Sequence, residues 1–284
     1  MTNYIGIDLG TTFSAVAYID QTGRPQIINN DKDENITPSV VAKYKGELIV
    51  GEFARRHWGN DDQKGAARFK RDMGTSEMHE IDGEEYSATE LSAAVLKMLK
   101  KNTEASIGSI AEAVVTIPAN FSHEARDATM EAARLAGLEI KHIINEPTAA
   151  ALYYAYESGG DLTGTCAVFD LGGGTFDVSI IRVTGQDVEV LASNGLHKLG
   201  GADFDQAIWE LVAEKYSAET GSELTLEEFS MNDAEYAKKA LSERKKTTVE
   251  IEREFIDLSR IEFEESVSAM VAQIEMMCES TIEE

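Results

Sequence analysis

The chain is 284 residues long, 43% hydrophobic, and carries a formal charge of −25. Length and hydrophobic content suit two packed lobes and exclude a disordered chain. The acidity argues against nucleic-acid binding through a basic face, and no apolar run is long enough to span a membrane.

The predicted elements begin almost at once, leaving no room for a secretory signal. Apolar, β-rich residues 5–8 and 13–19 flank Asp8-Leu9-Gly10-Thr11-Thr12, which predicts a hairpin with a carboxylate at the mouth of its turn. Extended segments follow near 40–44 and 48–50. Ser87-Ala88-Thr89-Glu90 is a capping box, and it opens a helix with Leu91, Val95, Met98 and Leu99 on one face. A buried strand over 113–117 closes at Pro118. A helix from about 122 to 135 stops at Gly137. A strand over 140–144 then leads to Pro147 at the head of another helix. Alternating strands and helices argue for an α/β layer.

The pattern restarts at Asp170-Leu171-Gly172-Gly173-Gly174-Thr175, between strands over 166–169 and 176–181. Residues 5–13 echo 168–176, as a duplicated α/β lobe would. A third arm over 187–193 leads to Gly200-Gly201 and a helix over about 203–218. Thr225-Leu226-Glu227-Glu228 predicts a helix running to about 244, and residues 247–256 alternate like a strand. Ser259-Arg260-Ile261-Glu262 predicts a last helix running to 284. That helix has no terminator, and its closing Glu275, Glu279, Glu283 and Glu284 oppose the helix dipole. The expectation is a truncated gene product or an engineered fragment, not a natural domain end.

The two Gly-Thr loops carry the chemistry. Glycines and threonines let backbone N–H groups and hydroxyls converge on an anion. Asp8 and Asp170 cannot bind a phosphate, but each can hold a divalent cation that neutralises one. Two such loops predict one metal–polyphosphate ligand clamped between two halves. Cys166 and Cys278 form no disulfide framework and fit a reducing compartment, with Cys166 read as a small core residue.

Six motifs in order resemble the heat-shock protein 70 (DnaK-type) chaperone family, in its N-terminal ATPase domain. They are Ile7 to Thr12, Thr37-Pro38-Ser39, Phe69-Lys70-Arg71, Thr116-Ile117-Pro118-Ala119, Ile144 to Ala151, and Phe169 to Ser179, continuing through Leu199 to Asp205. The resemblance implies an α/β, actin-like (ribonuclease H-like) ATPase fold with two lobes around a nucleotide cleft. Lobe I would be 1–160, with an inner part (1–38 and 112–160) and an outer part (39–111). Lobe II would be 161–284, inner at 161–201 and 259–284, outer at 202–258, and incomplete at its C-terminus.

It also implies roles. Asp8 and Asp170 would hold Mg²⁺ through its waters. Gly10, Thr11, Thr12 and Phe13, with Gly172, Gly173, Gly174, Thr175, Gly200 and Gly201, would bind the nucleotide phosphates. Lys70 would reach the γ-phosphate and the attacking water, which Glu146, Asp177 and Thr175 would help to order. Glu235, Lys238 and Ser242, at i, i+3 and i+7 on one helical face, would meet the adenosine; the bland alternative is an i, i+3 surface ion pair. Pro118 and Arg126 match residues that relay nucleotide state. Ala202 stands where the family commonly has an acid. ATP or ADP, Mg²⁺ and also K⁺ are the implied cofactors. A J-domain co-chaperone and a nucleotide-exchange factor are the implied partners, in the cytoplasm. Client peptides would bind only through a domain absent here. The family's later Gly-Gly-Ser-x-Arg adenosine motif is also absent, so weakened nucleotide affinity and turnover are expected. The alternatives are a small-molecule kinase of the actin-like superfamily and a truncated, non-catalytic nucleotide-binding or filament-forming protein. No P-loop, His-Glu-x-x-His or Gly-x-Ser-x-Gly motif occurs.

Overall fold

A computed structural model describes residues 3–59, 63–159, 163–185 and 187–284. The expected lobe boundary at 160/161 and the first two residues lie outside these. Strands β1 (Asn3–Asp8) and β2 (Phe13–Ile19) form the first predicted hairpin, and β3 (Pro25–Ile28) extends it. Alternation sends Ile5 and Ile7 of β1 into the core and leaves Asp8 on the opposite face. The two-residue β4 (Thr37–Pro38) pairs with the start of β2. A small sheet follows, with β5 (Val40–Tyr44), β6 (Glu47–Val50) and, after helix α1 (Glu52–Trp58), β7 (Gly65–Ala67).

Helix α1 has no periodic signal in the sequence and is only seven residues long. Its Ala54 and Trp58 pack on Val40 and Ala42, so tertiary burial holds it rather than helix propensity. A 3₁₀ turn, Phe69–Asp72, buries Phe69 and Lys70. The hairpin β8 (Met78–Ile81) and β9 (Glu84–Ser87) leads to α2 (Ala88–Ile107), opened by the predicted Ser87–Glu90 capping box. Strand β10 (Ile110–Ile117), α3 (His123–Leu135) and β11 (Ile140–Asn145) complete the first half. The resulting sheet runs β11-β10-β1-β2-β3, with β10 parallel to both β1 and β11. Helices α2 and α3 cover the face that carries Ile5, Ile7, Ala113 and Val115.

Helix α4 (Glu146–Glu157) packs against both β11 and the second sheet, made of β12 (Thr163–Leu171), β13 (Phe176–Thr184) and β14 (Asp187–Leu196). Central β13 is buried on both faces. Phe176 and Val178 join Leu199 and the apolar side of the last helix, while Ile181 and Val183 meet Ala151 of α4. Asp177 has the parity of Ile181, so it lies on the α4 side. Asp170, directly opposite Asp177 in the β12–β13 register, shares that face. Cys166 is only partly buried, against the α4 cluster.

The final third departs from the sequence expectation in three places. Helix α5 (Gly201–Thr220) forms as predicted, but α6 spans Met231–Glu243 and is opened by Ser230 with Asp233. The Thr225–Glu228 pair closes only a local turn, because both of its bonds stay within that loop. Residues 247–256 are not one strand. They divide into the hairpin β15 (Lys246–Ile251) and β16 (Glu254–Ser259), turned at Glu252, whose φ is +55°. The last helix starts at its predicted cap, Ser259, but breaks at Val267 into α7 (Arg260–Ser266) and α8 (Ser268–Glu283). Helices α5 and α6 and the β15–β16 hairpin share one core around Ile208, Leu241 and Ile256. Among the described residues, no helix is long and apolar enough to cross a membrane.

Candidate functional site

The two Gly-Thr loops meet face to face. A methyl group added at Gly173 would overlap the Thr12 side chain, and one at Gly174 would overlap Thr11. Only glycine lets the loops approach this closely. A methyl group at Gly10 would overlap the Phe13 carbonyl within its own turn. Ser39 fixes the first loop from behind: its Oγ donates to the Gly10 carbonyl at 2.8 Å, and its N–H donates to the Thr12 carbonyl at 2.8 Å. The second loop is fixed by the start of α5. Gly201 N–H donates to the Gly172 carbonyl at 2.9 Å, and Ala202 N–H to the Gly173 carbonyl at 2.8 Å. Asp203 accepts from the Gly200 N–H at 2.8 Å and from Arg71 at 3.0 Å, tying the first half to the second.

At the mouths of these loops lies a cluster of acids around one cation. Lys70 is buried in the 3₁₀ turn and donates to Glu146 Oε1 at 2.8 Å, with its ammonium over the Phe121 ring at 5.6 Å. Glu146 is placed by Pro147, which starts α4 beneath both sheets. Burial pushes the Glu146 carboxyl up. Lys70 opposes that shift, and the charges of Asp8 and Asp170 add to it. Burial and then Asp8 likewise raise Asp170. Asp177, only 6% exposed, is pushed up to about 7, by burial first and then by Glu146 and Asp170. Asp8 accepts a hydrogen bond from Thr116 Oγ1 at 2.8 Å. Four carboxylates thus share one lysine, an arrangement that favours an added cation.

Among the described residues, no three acids, histidines or cysteines converge into a metal cage. Asp8 and Asp170 could instead hold a hydrated Mg²⁺, an ion that keeps several waters and takes one or two carboxylates plus phosphate oxygens.

On the other side of the loops is a cavity of about 300 Å³. That is the lower end of the volumes typical of small-molecule sites. Thr11, Thr12, Phe13, Gly172, Gly173 and Gly201 contribute to its wall, as do Glu235 and Lys238 of α6. Ser242 does not: it is exposed, and its hydroxyl turns back to the Lys238 carbonyl at 3.4 Å. None of Lys70, Glu146, Asp170 and Asp177 lines the cavity either, so the loops serve two compartments. Lys238 pairs with Asp205 at 2.6 Å and donates to the Gly201 carbonyl at 2.9 Å. Burial pushes the Asp205 carboxyl up, and Lys238 opposes it.

Sequence reasoning missed Arg55. It reaches across the cavity from α1 to Asn232 Oδ1 at 2.8 Å and Glu235 Oε2 at 2.5 Å, and it lies over Phe13 at 5.7 Å. Burial works against the Glu235 charge, but Lys239 and Arg55 overcome it and hold that carboxyl below its usual range. Nothing in the local sequence around Arg55 marks a partner 180 residues away.

Two hairpin loops face each other, each on its own sheet, as suits the actin-like ATPase fold that the family match implies. The family model described as Hsp70 protein matches residues 4–82 and 77–284, and the chain belongs to the Hsp70 family. Members of that family are ATPases that bind ATP or ADP with Mg²⁺ and work with J-domain proteins and nucleotide-exchange factors. The match supports a chaperone nucleotide-binding domain.

Proposed function

We propose that this chain is the ATP-binding and ATP-hydrolysing domain of a DnaK-type chaperone, its nucleotide state controlling a client-binding domain. The observation that carries the reading is the pair of interlocked Gly-Thr loops, with an acid at each entrance and the Lys70–Glu146 pair beside them. In this reading the lobes divide as the sequence suggested, with α1 in the outer part of lobe I and α6 in that of lobe II.

The adenosine occupies the cavity between Arg55, Glu235 and Lys238, and the phosphates pass between the loops toward the acids. The Thr11 and Thr12 side chains stand against the backbone of Gly173 and Gly174, so the loops part to admit a phosphate chain. Loop amides and hydroxyls of Thr11, Thr12 and Thr175 then bind phosphate oxygens. Mg²⁺, held by Asp8 and Asp170, supplies charge neutralisation. Lys70 is freed from Glu146 to meet the γ-phosphate, leaving Glu146 and Asp177 to orient the attacking water. Phosphoryl transfer asks for little more than such positioning and charge stabilisation. Ser242 contributes to adenosine binding only if α6 rotates, and we assign it the smallest share. A J-domain protein and an exchange factor are the partners in this reading. The two unpaired cysteines suit a reducing, cytoplasmic setting.

Single-turnover hydrolysis of labelled ATP tests this. The wild type should convert ATP slowly and in a Mg²⁺-dependent way, and Lys70→Ala should be at least ~100-fold slower. Equal rates in both proteins would contradict the assignment.

A further inference from the structure

The segment after β10 carries a polar side chain that the account above leaves unused. Asn120 lies between Ala119 and Phe121, and both flanking carbonyls are held by Arg126, at 3.1 and 3.2 Å. Arg126 also reaches Asn145 Oδ1 at 3.4 Å, the residue before Glu146. Phe121 is further fixed beneath the Lys70 ammonium. The loop is therefore pinned on both sides of Asn120, and its amide is directed at the second half of the molecule.

There it meets Gly195 of β14 and Asp177 of β13. The point where a Gly195 side chain would begin is 2.5 Å from Asp177 Oδ1, 2.6 Å from Asn120 Nδ2 and 2.7 Å from the Phe176 carbonyl. Both polar atoms of the Asn120 amide, and Asp177 Oδ1, are buried without a hydrogen-bond partner. A buried polar atom left alone is costly, and two of these three flank a single point. Asp177 Oδ1 and Asn120 Nδ2 flank the same point, so they lie no more than about 5 Å apart, a gap that one bridging water spans. A side chain at position 195 would collide with both atoms, so glycine is required there.

We propose that Asn120 is a positioning residue for Asp177, joined to it through one buried water beside Gly195. The bridge spans the two halves of the cleft. It fixes the carboxylate that orients the attacking water, and it ties that carboxylate to the Pro118–Arg126 segment. The contact itself stands on geometry, whereas its effect on hydrolysis rests on the function proposed above.

Two measurements separate these. A crystal structure at a resolution that orders solvent should show density for a water within hydrogen-bond distance of Asn120 and Asp177. A double-mutant cycle in chemical denaturation should show that Asn120→Ala lowers the folding equilibrium constant about tenfold in the wild type, and by much less in an Asp177→Ala background. The same factor in both backgrounds, or an empty space, would overturn the bridge. In single-turnover assays, Asn120→Ala should slow hydrolysis about tenfold while the Mg-ATP dissociation constant stays within about twofold. Equal losses in rate and affinity would mean a merely structural residue. A wild type that never hydrolyses ATP would sink the proposed function and leave the denaturation cycle readable.

Discussion

Asp177 makes a pH signature that can be worked through. Its carboxyl is pushed up to about 7 by burial and by the charges of Glu146 and Asp170, whereas an aspartate in the unfolded chain titrates near 3.9. Between those values the folded protein holds a proton that the unfolded chain has released. Stability from this group is therefore fully present below about pH 4 and is lost as pH rises toward 7. From pH 5 to pH 8 the loss is about 2.5 kcal/mol for one group moved this far. Asp177→Asn keeps the shape and removes the proton. Urea denaturation of both proteins across that range, without nucleotide, should show the wild type losing about 2.5 kcal/mol relative to the variant. A difference between the two that stays constant with pH would refute the argument that burial and neighbouring acids set the state of Asp177.

Other perturbations follow from the same geometry. Gly173→Ala should destabilise the closed form by about 1–3 kcal/mol through overlap with Thr12, and adding Thr12→Ala should recover most of it. Thermal denaturation of the single and double variants checks this. Arg55→Ala breaks the link from α1 to Asn232 and Glu235, but Glu235 keeps Lys239 at 2.7 Å. Its stability cost should stay within about 1 kcal/mol, while release of a fluorescent ADP analogue should quicken about fivefold in stopped flow. Lys70→Met leaves Glu146 buried without its cation, so its cost should be about 3 kcal/mol near pH 8 and smaller near pH 5, because burial raises that carboxyl and favours its neutral form as pH falls. Equal costs at both pH values would show that the carboxylate is served by another group.

The parts of this molecule legible in the sequence are those written in adjacent residues. Both loop hairpins, the Ser87 and Ser259 helix starts, and the β10-α3-β11-α4 run follow from local patterns of apolar spacing, caps and stops. The errors share a cause. The Thr225–Glu228 pair has the chemistry of a capping box but no helix behind it, since the next turn of chain leads instead to Ser230 and Asp233. The β15–β16 turn hides within a run of alternating residues, because its left-handed residue is Glu252 rather than a glycine. Helix α1 depends on the sheet that it covers. The site was legible in residue type and invisible in partnership. Nothing local tells that Lys70 pairs with Glu146, that Arg71 reaches Asp203, or that Arg55 reaches Glu235, because each bond joins segments distant in the chain. The resemblance supplied the residues, and only the fold supplied their contacts.

The central claim is that the two loops clamp one metal–nucleotide ligand. Calorimetric titration of the chain with Mg-ADP and Mg-ATP, repeated with Asp8→Asn, tests it most directly. Binding at one site per chain that disappears in the variant, or without Mg²⁺, is the result the account predicts. A folded wild type that binds neither nucleotide, or a variant that binds both unchanged, would contradict it.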